Sequence, residues 1–201
     1  MSTGEKIPLK KADQVADQVL AMLQGHGLSV VGSVRRRRPL VGDIEFIAPF
    51  GFCGDELHDA IMLQLDTSEP SIFNTSEFRA FRLIKGMAKR KEWRMAVLAA
   101  NPEVFGVATT VTIYRYDRGS RGLIEILRTG PERFCDQVFD EWRKIRDEMR
   151  RFESTFPIMR DDCLVDMYGK PMNIATERGV FELIRCSYIP PENRDAMVER
   201  Q

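Results

Sequence analysis

The sequence is poor in the residues that soft metals and disulfides require. Its four cysteines, Cys53, Cys135, Cys163 and Cys186, are widely spaced and contain no C-x-x-C pair, so neither a zinc site nor a disulfide framework is indicated. Two histidines, His26 and His58, are too few to build a histidine-based metal site or a catalytic triad, and both read as surface or loop residues. No apolar run approaches the roughly 20 residues of a membrane-spanning helix, and the N-terminus lacks an apolar signal-peptide core. A cytoplasmic protein with no membrane partner is the expectation. Net charge is missing too: Lys+Arg and Asp+Glu balance at 30 each, so overall charge gives no support for a nucleic-acid partner. Internal repeats, low-complexity tracts and long linkers are also absent from the sequence, whose 201 residues suffice for one large or two small domains.

What is present is concentrated between Val31 and Ile47, VGSVRRRRPLVGDIEFI. A Gly-Ser turn, Gly32 and Ser33, leads into four arginines, Arg35 to Arg38, and then to Gly42, Asp43 and Glu45. On a strand from Asp43 to Ala48 the side chains alternate, which points Asp43 and Glu45 to one face. Two carboxylates so placed suit a hard divalent cation, because Mg²⁺ takes oxygen ligands and completes its shell with water and phosphate oxygens. The Gly-Ser turn can offer N–H groups and a hydroxyl to phosphates, and an arginine adds a planar fork of donors. Separately, each piece has a plainer reading, a charged strand end and a solvated basic loop; their combination in this order points to a metal-bound triphosphate.

Periodicity places these residues among regular elements. Leu9 to Gln24 carries a helical apolar stripe ended by Gly25-His26-Gly27, and Leu28 to Val31 is a short strand. Glu56 to Leu65 and Phe78 to Lys91 read as helices, the second bearing the basic residues Arg79, Arg82, Lys85, Lys89, Arg90 and Lys91. Trp93 to Ala99, Thr109 to Tyr116 and Leu123 to Leu127 read as strands with antiparallel links. Pro131 and Glu132 open a long helix with Phe134, Val138, Trp142, Ile145 and Met149 on one stripe. Leu164 to Met167 and Pro171 to Ile174 flank a turn and read as a hairpin. Thr176 can cap a helix to about Arg185, with Val180, Phe181 and Ile184 inward, before a charged tail.

Four stretches, IPLKKADQVADQVLAML, VGSVRRRRPLVGDIEFI, LIEILRTGPERF and ATERGVFELIRCSYIPPENR, stand in the order of one family. The chain resembles the family X DNA polymerases of the polymerase-beta nucleotidyltransferase superfamily, and looks most like the reduced bacteriophage and viral members. The resemblance implies an α+β fold: a nucleotidyltransferase palm with a mixed β-sheet and helices over residues 1–129, then a small C-terminal α+β thumb over 130–201. It implies a template-directed DNA polymerase that adds dNMP from dNTP to a primer 3′-hydroxyl and releases pyrophosphate in gap filling or repair. It also implies a monomer acting on primer-template or gapped DNA, in the cytoplasm or in the host cytoplasm for a viral protein.

By the same resemblance Gly32, Ser33, Arg36 and Gly42 bind the nucleotide phosphates, and Asp43 and Glu45 are two ligands of a two-metal Mg²⁺ or Mn²⁺ site. Arg128, Thr129 and Gly130 border the sugar, Cys135 stands where relatives have a base-contacting polar residue, and Lys85 and Lys89 are candidate DNA contacts. One position departs from the pattern. The family's third catalytic Asp aligns with Thr112, which cannot replace an anionic ligand. An introduced substitution, a natural loss, and an alignment in which Glu125 or Asp117 supplies the ligand all stay open; the plain reading of Glu125 is a solvent-facing strand residue. Two rival functions follow: a catalytically silent DNA-binding protein, and a nucleotidyltransferase with a non-DNA acceptor.

Overall fold

The computed structural model describes residues 6–49, 61, 81–85, 95–116, 119–150, 158–160, 163–165, 168, 170 and 172–199. The chain packs as two compact units, Met1–Arg115 and Tyr116–Gln201.

In the first unit, β1 (Ile7–Pro8) runs into α1 (Leu9–Met22), whose Ala12, Val15, Ala16 and Val19 are buried at the spacing the sequence shows. Then come β2 (Ser29–Val31), a single turn α2 (Gly32–Arg35), β3 (Leu40–Val41) and β4 (Ile44–Pro49). They are followed by β5 (Phe81–Lys85), β6 (Met95–Ala100), a one-turn α3 (Pro102–Phe105) and β7 (Thr109–Tyr116). The five-stranded sheet has the order β2-β4-β7-β6-β5, while β1 and β3 form a separate pair. One core holds Ala12, Val15, Ala16 and Val19 of α1 together with Ile44, Phe46, Ala48, Leu98, Ala100, Val111 and Ile113. Because alternate strand residues face opposite ways, this leaves Glu45 and Ile47 of β4 and Thr110 and Thr112 of β7 on the reverse face.

The helix expected over Phe78 to Lys91 is corrected: Phe81–Lys85 is a strand, at the end of the sheet order. In the sequence Phe78, Phe81 and Ile84 fall three apart and mimic a helical stripe, while in the sheet the register shifts between Leu83 and Lys85. Lys85 therefore lies on a strand, and Lys89 lies outside the described residues. The expected Glu56–Leu65 helix also lies outside them except for Ile61, which is helical and buried.

In the second unit, α4 (Arg121–Thr129) and α5 (Glu132–Arg150) precede a hairpin of β8 (Ile158–Arg160) and β9 (Cys163–Val165), then α6 (Glu177–Leu183), a 3₁₀ turn at Pro191–Asn193 and α7 (Arg194–Glu199). The expected strand Leu123–Leu127 is thus a helix. Leu123, Ile126 and Leu127 follow a three-and-four spacing, and Leu123 and Ile126 join Phe134, Val138, Trp142, Ile145, Val180, Phe181 and Ile184 in a second core. The hairpin also sits earlier than expected, pairing Ile158 with Val165, while Met172 to Ala175 carries no regular structure. Backbone partners explain that: Ile174 donates its N–H to Gly119 O at 3.1 Å and accepts from Gly122 N at 3.0 Å, holding this stretch against the start of α4. Thr176 caps α6 as expected, accepting from Gly179 N at 3.2 Å.

The charged tail is not a tail. Arg194 is fully buried and meets Glu177, itself 3% exposed, through two parallel bonds of 2.9 Å. The remaining Arg194 donors reach Ile189 O at 3.2 and 3.1 Å, and Tyr188 donates its hydroxyl to Glu177 Oε2 at 3.3 Å. The guanidinium also lies 5.1 Å from the Phe134 ring centroid. Removing one partner leaves a buried charge without its counter-ion, so Arg194→Ala is expected to lower the unfolding free energy by about 3–5 kcal/mol. Urea titration reads this directly, and a double change to apolar residues, Glu177→Leu with Arg194→Met, should cost much less.

Candidate active site

The site begins with a register. In the antiparallel β2–β4 pair, Ser29 faces Ile47, Val30 faces Phe46 and Val31 faces Glu45. The residue after Val31 is therefore delivered beside the Glu45 side chain. That residue is Gly32, with φ 67°, a left-handed conformation that a side chain resists, and a Cβ placed there would run into Glu45 Oε2. Asp43 stands one residue before β4 begins and is half-buried, as are Gly42 and Glu45. The strand thus starts one residue later than the sequence indicates, but its spacing still brings Asp43, Glu45 and Gly32 to one end of the β2–β4 ladder.

The arginine loop is built as much by backbone as by charge. Arg36 N donates to Gly32 O at 3.1 Å, Arg37 N to Val34 O at 2.9 Å, and Arg38 N to Ser33 O at 3.1 Å. These bonds fold Gly32–Arg35 into the turn α2, so that Arg36 comes back over Ser33; its Nη2 lies 3.5 Å from Ser33 Oγ, at the long limit of a hydrogen bond. Two candidate phosphate-binding side chains are thereby brought together. Arg37 is different: it has φ 59° and its Nη1 bonds both carboxylate oxygens of Asp13 on α1, at 3.2 and 3.1 Å. That pair is exposed and anchors the loop, and exposed pairs contribute little, on the order of 0–1 kcal/mol. The four arginines are not equivalent, a distinction their consecutive order hides.

Thr112 lies buried in the middle of β7, opposite Val97 of β6. By alternation it shares the reverse face with Glu45, one strand away. On that face Thr112 presents a neutral hydroxyl, not a carboxylate. Among the described residues no group of three or more His, Cys, Asp or Glu side chains could hold a metal ion. Asp43 and Glu45 match the carboxylate number that one hard cation accepts alongside water and phosphate oxygens. Among the described residues no third carboxylate groups with them.

Glu125 lies on α4, not on a strand, and is buried, not solvent-facing; its carboxylate accepts from Arg121 Nε at 3.0 Å. This bond holds the Arg121 guanidinium above its ordinary value. Asp117 lies outside the described residues. Of the sugar-side candidates in the second unit, Arg128 is exposed, Thr129 is fully buried and Gly130 closes the α4–α5 corner. A Cβ on Gly130 would lie 2.6 Å from Phe134 Cδ1 and 2.8 Å from Cys135 Sγ, so packing alone demands glycine there. Cys135 is buried, its thiol 3.7 Å from Ile126 O and 3.9 Å from Leu127 O.

The sheet with its helices defines the class: a polymerase-beta-like fold. Among solved structures the chain is similar to Leishmania infantum polymerase beta in a ternary gap complex, with TM-score 0.64 and 14% identity over 96% of this chain and 71% of that one. It is also similar to the same enzyme in a ternary P/T complex, with TM-score 0.60 and 15% identity over 96% of this chain and 77% of that one. At such identity the likeness is one of fold. Both neighbours are Leishmania proteins and lend nothing to the expected phage or viral type. No protein-family model matches the chain, and no curated protein sequence does. Among the described residues no helix is long and apolar enough to cross a membrane.

Tyr116, close in charge to this α4 pair, gives a pH dependence. Burial pushes its phenol above the ordinary 10.0, Arg121 pulls it down and Glu125 pushes it up, with a net rise. The folded state thus holds this proton more tightly than the unfolded chain, so the stabilisation is complete below pH about 10 and is lost as pH rises through the higher folded value. Alkaline absorbance titration should show a late-ionising phenol in the folded protein that disappears in Tyr116→Phe and in urea.

Proposed function

We propose that the protein is a polymerase-beta-like nucleotidyltransferase acting as a DNA polymerase on primer-template or gapped DNA, slowed by Thr112. The observation that carries this reading is the meeting of Gly32, Ser33, Arg36, Asp43 and Glu45 at one end of the β2–β4 ladder in this fold. Ser33 and Arg36 bind phosphate oxygens of the incoming dNTP, the arginine adding charge and directed donors. Asp43 and Glu45 would hold Mg²⁺ or Mn²⁺, which would supply neutralisation of phosphate charge. The primer 3′-hydroxyl attacks the α-phosphate and pyrophosphate leaves. At that moment Thr112 can neither accept the hydroxyl proton at neutral pH nor lend an anionic ligand, so the proton passes to water.

In the same proposal residues 1–129 serve as palm and 130–201 as thumb, although α4 packs with the second unit. Arg128, Thr129 and Gly130 border the sugar, Gly42 supports the phosphate loop, Lys85 and Lys89 contact the DNA backbone, and the protein works as a monomer in repair synthesis. The neighbours' own gap and P/T complexes support a DNA acceptor over a non-DNA one. A second reading, a DNA-binding protein without catalysis, is favoured by Thr112 alone.

Primer extension on gapped DNA separates the two. The native chain should extend slowly, Asp43→Ala should abolish extension, and Thr112→Asp should accelerate it by about 10²–10⁴-fold, the usual worth of a positioned base. Extension seen only in Thr112→Asp would establish the silent reading, and failure of every form to bind DNA would overturn both.

A further inference from the structure

Gly32 answers two separate demands. Its backbone is left-handed at φ 67°, and its Cα hydrogen faces Glu45: an added Cβ would meet Oε2 directly and lie 3.2 Å from Cδ and 3.4 Å from Cβ of that residue. The second demand comes from the β2–β4 register, which sets Glu45 opposite Val31 and so lays its side chain along the following residue. An aspartate at position 45, one methylene shorter, would draw its oxygens back from this contact.

We propose that Gly32 is the positioning residue for the Glu45 carboxylate: its bare Cα is the surface against which the longer acidic arm rests, holding that carboxylate in place as a cation ligand beside Asp43. The inference rests on the reading that Asp43 and Glu45 bind a divalent cation. It gives Gly32 a function toward the metal that is distinct from any contact of the Gly-Ser turn with phosphate. It also makes positions 32 and 45 a coupled pair, in which the cost of a side chain at 32 depends on the length of the acid at 45.

The coupling is measured by Mn²⁺ binding to the full chain without nucleotide or DNA, using electron paramagnetic resonance for the native protein, Gly32→Ala, Glu45→Asp and the double variant, with thermal melts beside each. Gly32→Ala is expected to weaken Mn²⁺ by about 10–100-fold, the range seen when the support of a metal ligand is disturbed. The double variant should bind nearly as well as Glu45→Asp alone, although it carries the same backbone strain at position 32 as Gly32→Ala. An equal loss in the two backgrounds, or no loss in either, overturns the proposal, because strain or nothing then explains the glycine. If Gly32→Ala does not fold, Gly32→Asn takes its place in the same cycle, since asparagine tolerates left-handed backbone while still carrying a Cβ. Native protein that does not bind Mn²⁺, or binds it equally well as Asp43→Ala, overturns the underlying metal reading instead.

Discussion

The pairing of Val31 with Glu45 is the constraint on which the candidate site depends. A strand has a side-chain period of two, so a slip of one residue would turn Glu45 into the α1 core and bring Ile44 or Phe46 to the reverse face. The slip is resisted because Ile44, Phe46 and Ala48 are fully buried in that core. Apolar burial, worth about 1.5–3 kcal/mol for each large side chain, thus fixes the position of a charged group that contributes nothing to the core itself. The same register sets the backbone of Gly32 beside the acid, and the turn that follows brings Arg36 over Ser33.

Chemistry and packing are divided differently in the second unit. Its core is a stripe of α5 against α4 and α6, closed by Gly130 at a corner too tight for a side chain. Inside it sits the Glu177–Arg194 pair, bidentate and fully desolvated. Such a pair is weak as a source of net stability, since its Coulomb energy is offset by the loss of water from both charges. What the pair adds is geometry: the planar guanidinium meets the carboxylate, Ile189 O and the Phe134 face together at the start of α7.

Much of this was legible in the residues. The helix α1, the strand β7 with its bounds, the stripe of α5 and the Thr176 cap follow from local periodicity and capping chemistry, which act over a few neighbours. The failures have a common cause in contacts distant along the chain. Leu123 to Leu127 reads as a strand because a five-residue, mostly apolar stretch suits a strand or a helix equally, and what decides is α4 packing on α6. Phe81 to Lys85 reads as helical because Phe78, Phe81 and Ile84 recur every three residues, and its pairing with β6 is a contact no local pattern shows. Arg194 and Glu177 lie 17 residues apart, and nothing local distinguishes a buried arginine from its exposed neighbours. The site motif was legible as a set of residue types; that Arg37 serves Asp13 and Arg36 serves Ser33 was not, because it depends on the turn's handedness.

The pair of Glu177 and Arg194 also orders events during synthesis. Residues are made from the N-terminal side, so the carboxylate emerges well before the guanidinium that neutralises it. Until Arg194 has left the ribosome, closing the core around Phe134 and Phe181 would trap an unpaired charge. A second unit without Arg194 would have to bury Glu177 without its counter-ion, whereas the core of the first unit draws on no residue of α7.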